Sequence, residues 1–402
     1  MNKGLFLVFL LAAAAGAQVL SQWRGPKRDG HYPDESLLTV WPEGGPKLLW
    51  QADGLGQGYT SAAVTEQRVY VTGQFDGVGR LFAFDLQGKK LWEKDYGPEW
   101  TRNYPGTRST PVVTNDRLYL LSGQGVLYCL SLDGEKIWSA DLYKRFGGIE
   151  VEWGIAEQLL VDGGTIYCTP GGKTAMAALD RWSGKTLWTC AGNGESSSYC
   201  SPILVKHNGI PMLITALQKS IIGVHAQSGE LLWRYPHTAP YDIHANTPIY
   251  HDGAVFFHSG ETGTGALLQI SADGRTVRPV WQSDRLDALI GHYVLIDGFI
   301  YGAGYSNGGF TALDWRTGAV GFDDRTLVRR AAVITADGMI YAYSENGAVS
   351  LIKPDPKTFR LISTFKIKQG SGPHWAHPVI KNGRLYIRHG EVMLVYDLSR
   401  PQ

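Results

Sequence analysis

The segment DRWSGKTLW, residues 180–188, contains the repeat that decides the fold. A turn containing Gly184 is followed by a short apolar strand that ends at Trp188. Gly supplies the positive φ that a tight hairpin turn needs, and Asp or Ser beside it can hydrogen-bond to the turn backbone. Related segments along the chain end at an aromatic residue: Trp50, Trp92, Trp138, Trp188, Trp233, Trp281, Phe322 and Phe365.

A second signal precedes most of these turns and consists of an apolar residue followed by an aromatic one. It recurs every 40 to 49 residues, with Leu213 as a degenerate copy: Tyr70, Tyr119, Tyr167, Leu213, Phe256, Tyr301, Tyr341 and Tyr386. The residues between the two signals alternate as in short strands and show no helical period. Four-stranded units of this length that repeat radially are propeller blades. The sequence therefore predicts an all-β, eight-bladed β-propeller of four-stranded blades, with a sandwich array or a solenoid as alternatives.

The two ends of the chain predict how the ring closes. The last unit, around Tyr386, reaches Gln402 without a turn that ends in an aromatic residue. The missing segment, GPKLLW at residues 45–50, stands before the first complete unit. We therefore expect an N-terminal strand to complete the last blade and to cover a sheet edge that would otherwise be unpaired. Residues 18–402 are predicted to form a single propeller domain.

Residues 1–17 have the pattern of a cleaved signal peptide, with Lys3 before an apolar run and the small residues AGA at 15–17. The run is shorter than the roughly 20 apolar residues that span a bilayer, although a membrane anchor is the alternative. No Cys follows the small residues, so the pattern contains no lipobox. We expect a periplasmic or secreted protein with no membrane span in the mature chain. A net charge of +1 indicates no nucleic-acid partner.

An oxidising compartment makes the four cysteines candidates for disulfides: Cys129, Cys168, Cys190 and Cys200. A bond between Cys190 and Cys200 would close a loop rich in Gly and Ser. The alternative is that all four are small buried hydrophobic residues.

The repeat resembles that of the pyrroloquinoline-quinone-like (PQQ-like) propeller family, on the segments AFDLQGKKLW at 83–92, ALDRWSGKTLW at 178–188 and ALDWRTG at 312–318. The opening QWRGPKRDG at 22–30 is similar to exported members. The family includes quinoprotein dehydrogenases, which carry quinone and calcium, and BamB-like propellers, which carry neither. In many of these dehydrogenases the quinone lies between a Trp and a disulfide of adjacent Cys residues, and Glu, Asn and Asp hold the calcium. This chain has no adjacent Cys pair, so its motifs do not support PQQ or calcium, and we predict no cofactor.

In a propeller, the loops from each outer strand to the next inner strand meet at one mouth of the central channel, where binding groups concentrate. The residues just before the inner strands are the candidate site: Tyr59, Arg108, Glu152, Trp153, Tyr199, His244, Asn246, His292, Arg329, Arg330, His374, Trp375 and His377. His and Glu suit acid–base chemistry, Arg suits a carboxylate or phosphate, and Trp or Tyr suits stacking on a ring. The alternative is a set of polar residues lining a water-filled mouth. His374 and His377 alone are weak evidence for a metal, and none is predicted.

Two functions are considered, and the complete repeats together with the missing cofactor motifs favour the first. The first is a non-catalytic, monomeric, exported propeller that binds an envelope protein, a peptide or a glycan, with residues 100–104 as an exposed contact surface. The second is an envelope enzyme. It would be either a quinone-dependent alcohol or sugar dehydrogenase with Glu152 as the base, or a His- and Tyr-based enzyme acting on an acidic polysaccharide. The Gly-rich segments 260–265 and 302–305 are assigned to hairpins within blades, because no helix pattern follows either of them.

Overall fold

The protein is an eight-bladed β-propeller, as predicted. The computed structural model describes residues 19–261, 263–306 and 309–400. The predicted signal peptide, residues 1–17, lies outside the described residues. Within these ranges the strands form eight antiparallel sheets, and hydrophobic clusters fill the spaces between neighbouring sheets.

Each blade runs from an inner strand at the channel to an outer strand at the periphery. Blades 1 and 2 are β3 (Ala63–Val64), β4 (Arg68–Phe75), β5 (Val78–Asp85) and β6 (Lys90–Pro98), then β7 (Val112–Thr114), β8 (Leu118–Leu121), β9 (Val126–Leu130) and β10 (Lys136–Asp141). Blades 3 and 4 are β11 (Leu160–Asp162), β12 (Thr165–Cys168), β13 (Thr174–Asp180) and β14 (Thr186–Ala191), then β15 (Ile203–His207), β16 (Ile210–Leu217), β17 (Ser220–His225) and β18 (Leu231–Pro236).

The second half of the ring continues in the same order. Blades 5 and 6 are β19 (Ile249–His251), β20 (Ala254–His258), β21 (Gly265–Ile270) and β22 (Val277–Ser283), then β23 (Tyr293–Ile296), β24 (Phe299–Ala303), β25 (Phe310–Asp314) and β26 (Val320–Asp324). Blades 7 and 8 are β27 (Ala331–Ala336), β28 (Met339–Ser344), β29 (Ala348–Lys353) and β30 (Arg360–Lys366), then β31 (Val379–Lys381), β32 (Arg384–His389), β33 (Val392–Asp397) and the N-terminal β2 (Leu48–Ala52). A short helix, α1 (Leu142–Phe146), and a 3-10 turn (Pro240–Asp242) lie in connections predicted as loops.

The residues of the second signal all lie on the second strand of a blade, and all are buried. In every blade the outer strand pairs with the third strand through a one-residue register shift. In blade 3, for example, Trp188 pairs with Ala178 and Thr186 with Leu179, so Leu187 is left as a bulge. A bulge twists the strand and turns the following side chain, which here is the aromatic of the repeat.

The repeated Trp and Gly meet across the space between blades. Trp138 of blade 2 donates its indole N–H to the carbonyl of Arg181 in blade 3, at 3.2 Å. A Cβ on Gly184 would lie 2.8 Å from the Trp138 ring. Gly184 also has a φ of +67°. The turn therefore requires Gly for two reasons, its backbone conformation and the ring of the preceding blade.

We expect Gly184→Ala to destabilise the protein by about 2–5 kcal/mol. The left-handed backbone costs an L residue roughly 1–2 kcal/mol, and overpacking against the Trp138 ring adds about 1–3 kcal/mol. The matched control is Gly163→Ala, because Gly163 has a φ of +52° and a Cβ added there would meet nothing within 4 Å. Urea unfolding of both variants measures the difference, and equal losses would show that the ring contact contributes nothing.

Blade 7 departs from the repeat. Its outer strand places Ser363, not Phe365, at the position of the repeated Trp, because Ile362 is the bulged residue. Trp41 from the N-terminal segment supplies a ring instead. Its backbone N–H donates to Ser363 Oγ at 3.0 Å, and its ring contacts that of Phe365 at 5.2 Å.

The predicted ring closure is confirmed. Strand β2 pairs antiparallel with β33, with Trp50 opposite Val395. The Trp50 indole donates to the carbonyl of Leu86 in blade 1 at 3.1 Å. The N-terminal strand therefore completes blade 8 and joins it to blade 1.

The N-terminal segment also crosses the central channel, which the sequence did not predict. Strand β1 (Val19–Ser21) adds to the inner edge of blade 2. Arg24 then donates to the carbonyls of Tyr293 in blade 6 and Val333 in blade 7, at 2.7 and 2.9 Å. Burial lowers the pKa of Arg24 to about 10, so its guanidinium remains charged at neutral pH. Arg28 reaches blade 3 in the same way. Residues 19–32, which we call the plug, therefore tie several blades together.

The cysteines do not form the expected bond. All four are free and buried. Cys190 packs in the cluster between blades 3 and 4, whereas Cys200 packs in the cluster between blades 4 and 5. Of the two alternatives, the Cys190–Cys200 disulfide is therefore wrong, and small buried hydrophobic residues are confirmed.

Candidate functional site

A cavity of about 310 Å³ opens at the mouth where the outer-to-inner connections meet, and we call it the cup. The structure brings seven of the candidate residues together around it: Tyr59, Arg108, Trp153, Tyr199, His292, Trp375 and His377. These residues lie on outer-to-inner connections that are distributed around the ring. Convergence of equivalent loops on one mouth is the geometric reason that they meet.

Several lining residues were missed. Glu261, Tyr305 and Glu345 lie on hairpins between second and third strands, and these hairpins open on the same mouth. From the sequence, the segments 260–265 and 302–305 are assigned only to hairpins within blades. Because hairpins between second and third strands lie at the same mouth as the outer-to-inner connections, the propeller topology was sufficient to include them in the candidate site. Trp23 of the plug also lines the cup. No signal in the repeat pointed to it.

Four candidates lie outside the cup. Glu152 and Arg329 are exposed. Arg330 is 3.7 Å from Glu345, and its guanidinium lies over the Tyr305 ring at 4.1 Å. His374 stacks on the ring of His389 at 3.5 Å, and its Nδ1 shares a hydrogen bond with the Tyr343 hydroxyl.

Two further candidates are buried in structural hydrogen bonds. Asn246 accepts from the backbone N–H of His292 at 3.1 Å and donates to the carbonyls of His258 and Ala288. His244 donates from Nε2 to the Gln218 carbonyl at 2.9 Å, so its Nδ1 accepts from Ser259 Oγ. Burial lowers the pKa of His244, which keeps the ring neutral. Neither side chain lines the cup.

The floor of the cup is made of three rings. Trp23 makes edge contacts with His292 and His377, with centroids 4.7 and 5.2 Å apart. His292 Nδ1 and His377 Nε2 both donate to the carbonyl of Ile290, each at 2.9 Å. Burial, together with the nearby charge of Arg24, lowers the pKa of His377 to about 3 and that of His292 well below its ordinary value. Both imidazoles are therefore neutral at physiological pH.

The walls are aromatic. Trp375 contacts the rings of Tyr59 and Tyr104, with centroids 5.1 and 4.8 Å apart, and Trp153 faces Tyr199 at 6.0 Å. Tyr104 belongs to the segment predicted as an exposed contact surface. Tyr104 is exposed, but Trp100 of the same segment is buried and donates to the carbonyl of Asn103. Part of that prediction was therefore wrong, because Trp100 packs against blade 2 instead of facing solvent.

The charged groups of the cup lie on different sides. Arg108 comes from the connection into blade 2, whereas Glu261 and Glu345 come from blades 5 and 7, across the ring. Glu345 accepts a hydrogen bond from Trp375 Nε1 at 2.7 Å. The cup thus pairs a cationic wall with an acidic one.

The comparisons with known proteins agree with this fold. The family model described as outer membrane protein assembly factor BamB (PQQ_2) matches residues 77–323, more than half of the chain. The chain belongs to this PQQ-like family. No curated protein matches its sequence. Among the residues that the structure describes, no helix is long and apolar enough to cross a bilayer.

Several solved structures share the architecture. BamB from Moraxella catarrhalis is 17% identical, with a TM-score of 0.64 over 89% of this chain and 98% of that one. The quinohemoprotein alcohol dehydrogenase of Comamonas testosteroni is 10% identical, with a TM-score of 0.71 over 98% of this chain and 82% of that one. The computationally designed Ika8 protein is 12% identical, with a TM-score of 0.58 over 86% of this chain and 100% of that one. At these identities the likeness shows the fold alone.

The residues present do not fit the quinone and calcium of the PQQ-like dehydrogenases. The described cysteines are all free, and no two of them are adjacent in the sequence, so they form no disulfide platform. Within the described ranges no three His, Cys, Asp or Glu side chains are grouped so that they could hold a metal ion. The Asn246 amide is already engaged with the backbone. His374 and His377 also differ in their surroundings, since His374 stacks on His389 and His377 meets Trp23.

Proposed function

We propose that this chain is an exported, monomeric, non-catalytic propeller that binds a polypeptide partner of the cell envelope at the cup. The observation that carries the proposal is the combination of an aromatic concavity with exposed apolar residues on the surrounding connections. Trp, Tyr and Arg, which dominate protein-binding hot spots, make up much of the wall. A leader-like segment at residues 1–17 supports export.

The connections around the cup expose large apolar side chains. Tyr104 is 51% exposed, Ile149 43%, Tyr241 75% and Leu327 58%. They lie on four different connections of the same face. A small ligand would occupy the cup alone, whereas a macromolecular partner would also cover these side chains. The face therefore favours a polypeptide over a small free metabolite.

The chemistry of the histidines also supports binding in preference to catalysis. A general acid or base works best when its pKa is near the operating pH. Burial lowers the pKa of His377 to about 3 and that of His244 and His292 in the same direction. These side chains are already committed to backbone carbonyls. They are therefore poorly suited to move protons at neutral pH.

The family match supports a polypeptide as the partner. The matching family is described as an outer membrane protein assembly factor. A glycan is the other binding partner that an aromatic cup suits, and the experiment below separates the two.

Photocrosslinking in the host envelope tests the proposal. With benzoylphenylalanine in place of Tyr104, we expect a crosslinked polypeptide of defined mass. The matched control carries the same group in place of Trp182, which is 44% exposed in the turn between β13 and β14 of blade 3. Trp375→Ala should lower the affinity for the captured partner by roughly 30-fold, because a hot-spot truncation costs about 2 kcal/mol or more.

Three results would contradict the proposal. The first is no crosslink at Tyr104. The second is a crosslink of equal yield at Trp182. The third is a captured species that resists protease but is cleaved by glycosidases, which would identify a glycan as the partner instead.

A further inference from the structure

The geometry of Arg108 points to the chemistry of the bound group. Its Nε donates to the Trp153 carbonyl at 2.6 Å, and its Nη2 donates to the carbonyls of Asn103 and Tyr104, each at 2.8 Å. These three bonds hold the guanidinium in one orientation at the wall of the cup. Nη1 makes no hydrogen bond to the described residues and is not sealed from the cavity.

The charge of Arg108 has no ion-pair partner among the described residues. The carboxylate that acts on it most strongly, Glu99, is buried and already engaged. Glu99 accepts from the Tyr96 hydroxyl at 2.7 Å and from the backbone N–H groups of Trp100 and Gly123. Burial raises the pKa of Glu99. Burial lowers the pKa of Arg108 to about 10, so Arg108 stays charged at neutral pH.

Other donors that line the cup are also unused. Trp23 and Trp153 line the cup, and their indole N–H groups make no hydrogen bond to the described residues. The Tyr59 ring lies 5.8 Å from the Arg108 guanidinium. A fixed cation beside free donors and an aromatic ring suits an anion attached to an apolar group.

Resting on the proposed function, we propose that Arg108 binds a single carboxylate of the partner polypeptide, either its C-terminus or an acidic side chain. The carboxylate accepts from Nη1 while the neighbouring side chain of the partner packs against the aromatic wall. Glu261 on the facing wall would repel a second negative charge, whereas the charge of Glu345 is partly offset by Arg330 at 3.7 Å. This disfavours phosphate dianions and acidic polysaccharides, and it favours one isolated carboxylate.

Three small probes test the inference on the whole protein. N-acetylphenylalanine carries a terminal carboxylate, its amide carries none, and N-acetyl-phenylalanyl-glutamate α-amide carries only a side-chain carboxylate. Calorimetric titration measures each affinity. We expect at least one acid to bind about tenfold more tightly than the amide, because a hydrogen bond to a charged group discriminates by about that factor. Tighter binding of N-acetylphenylalanine would identify the C-terminus as the source of the carboxylate, and tighter binding of the glutamate probe would identify an acidic side chain.

The variants assign the preference to Arg108. Arg108→Gln should reduce the acid-to-amide ratio to about twofold or less, and Arg108→Lys should leave an intermediate ratio because the charge remains without the planar fork. The matched control is Arg102→Gln, since Arg102 lies on the same connection but is exposed and paired with Glu150. The urea unfolding midpoints of all variants show whether the protein stays folded. If Arg108→Gln does not fold, the ratio measured for Arg108→Lys decides the test.

The inference is overturned if no probe binds, if the acids and the amide bind equally, or if Arg108→Lys and Arg108→Gln both keep the full preference. The two proposals can fail separately. A carboxylate preference without any crosslinked polypeptide would remove the proposed partner. A crosslinked polypeptide without carboxylate preference would remove the role of Arg108.

Discussion

Deletion of residues 45–50 is expected to cost about 5 kcal/mol or more of the free energy of unfolding. It removes most of β2 and with it Trp50, whose ring packs near Tyr386 and Phe84 at 6.3 and 6.2 Å. Loss of a fully buried Trp costs about 3–5 kcal/mol, and the partly buried Trp50 contributes toward the lower end of that range. Each lost strand hydrogen bond adds about 0.5–1.5 kcal/mol. Typical total stabilities are about 5–15 kcal/mol. The deletion therefore removes a large share of the stability, measured by urea unfolding.

A peptide rescue provides the control for this deletion. A synthetic peptide of residues 44–54, added in excess, should pair with β33 and restore the unfolding midpoint. A scrambled peptide of the same composition should not. A deleted protein that unfolds at the wild-type midpoint would contradict the closure of the ring by β2.

Trp23→Ala is expected to destabilise the protein by about 3–5 kcal/mol, the usual cost of truncating a buried Trp. Trp23 is 5% exposed and packs against His292 and His377 from beneath the cup. Its removal opens the floor and weakens the docking of the plug, which Arg24 and Arg28 hold to blades 3, 6 and 7. Urea unfolding measures the loss.

Trp182→Ala is the matched control, because Trp182 is 44% exposed and contacts Arg181. Its loss should cost about 1 kcal/mol or less. If Trp23→Ala costs no more than this control, the plug does not contribute to the stability of the ring.

The candidate site was predictable in part. Residues before the inner strands occupy equivalent positions in the repeat, so topology predicts that Tyr59, Trp153 and Trp375 meet at one mouth. The same topology does not distinguish a side chain that faces the cup from one that supports it. Asn246 and His244 satisfied the pattern but hold backbone groups instead. Their orientation depends on carbonyls that become neighbours only when the blades assemble.

Local regularity in the amino-acid order was sufficient for the architecture. Turn chemistry around Gly184, the alternation of short strands and the displaced segment at 45–50 predict eight blades and their closure, because each signal acts over a few neighbouring residues and recurs. The position of the plug and the depth of the cup were decided instead by the tertiary structure, when the blades pack together. Arg24 meets Val333 across 309 positions of the chain, and this contact has no period that a repeat search detects. Burial in the finished ring then keeps His377 and His292 neutral and leaves Arg108 charged, since desolvation depends on how the blades pack and not on the residue type alone.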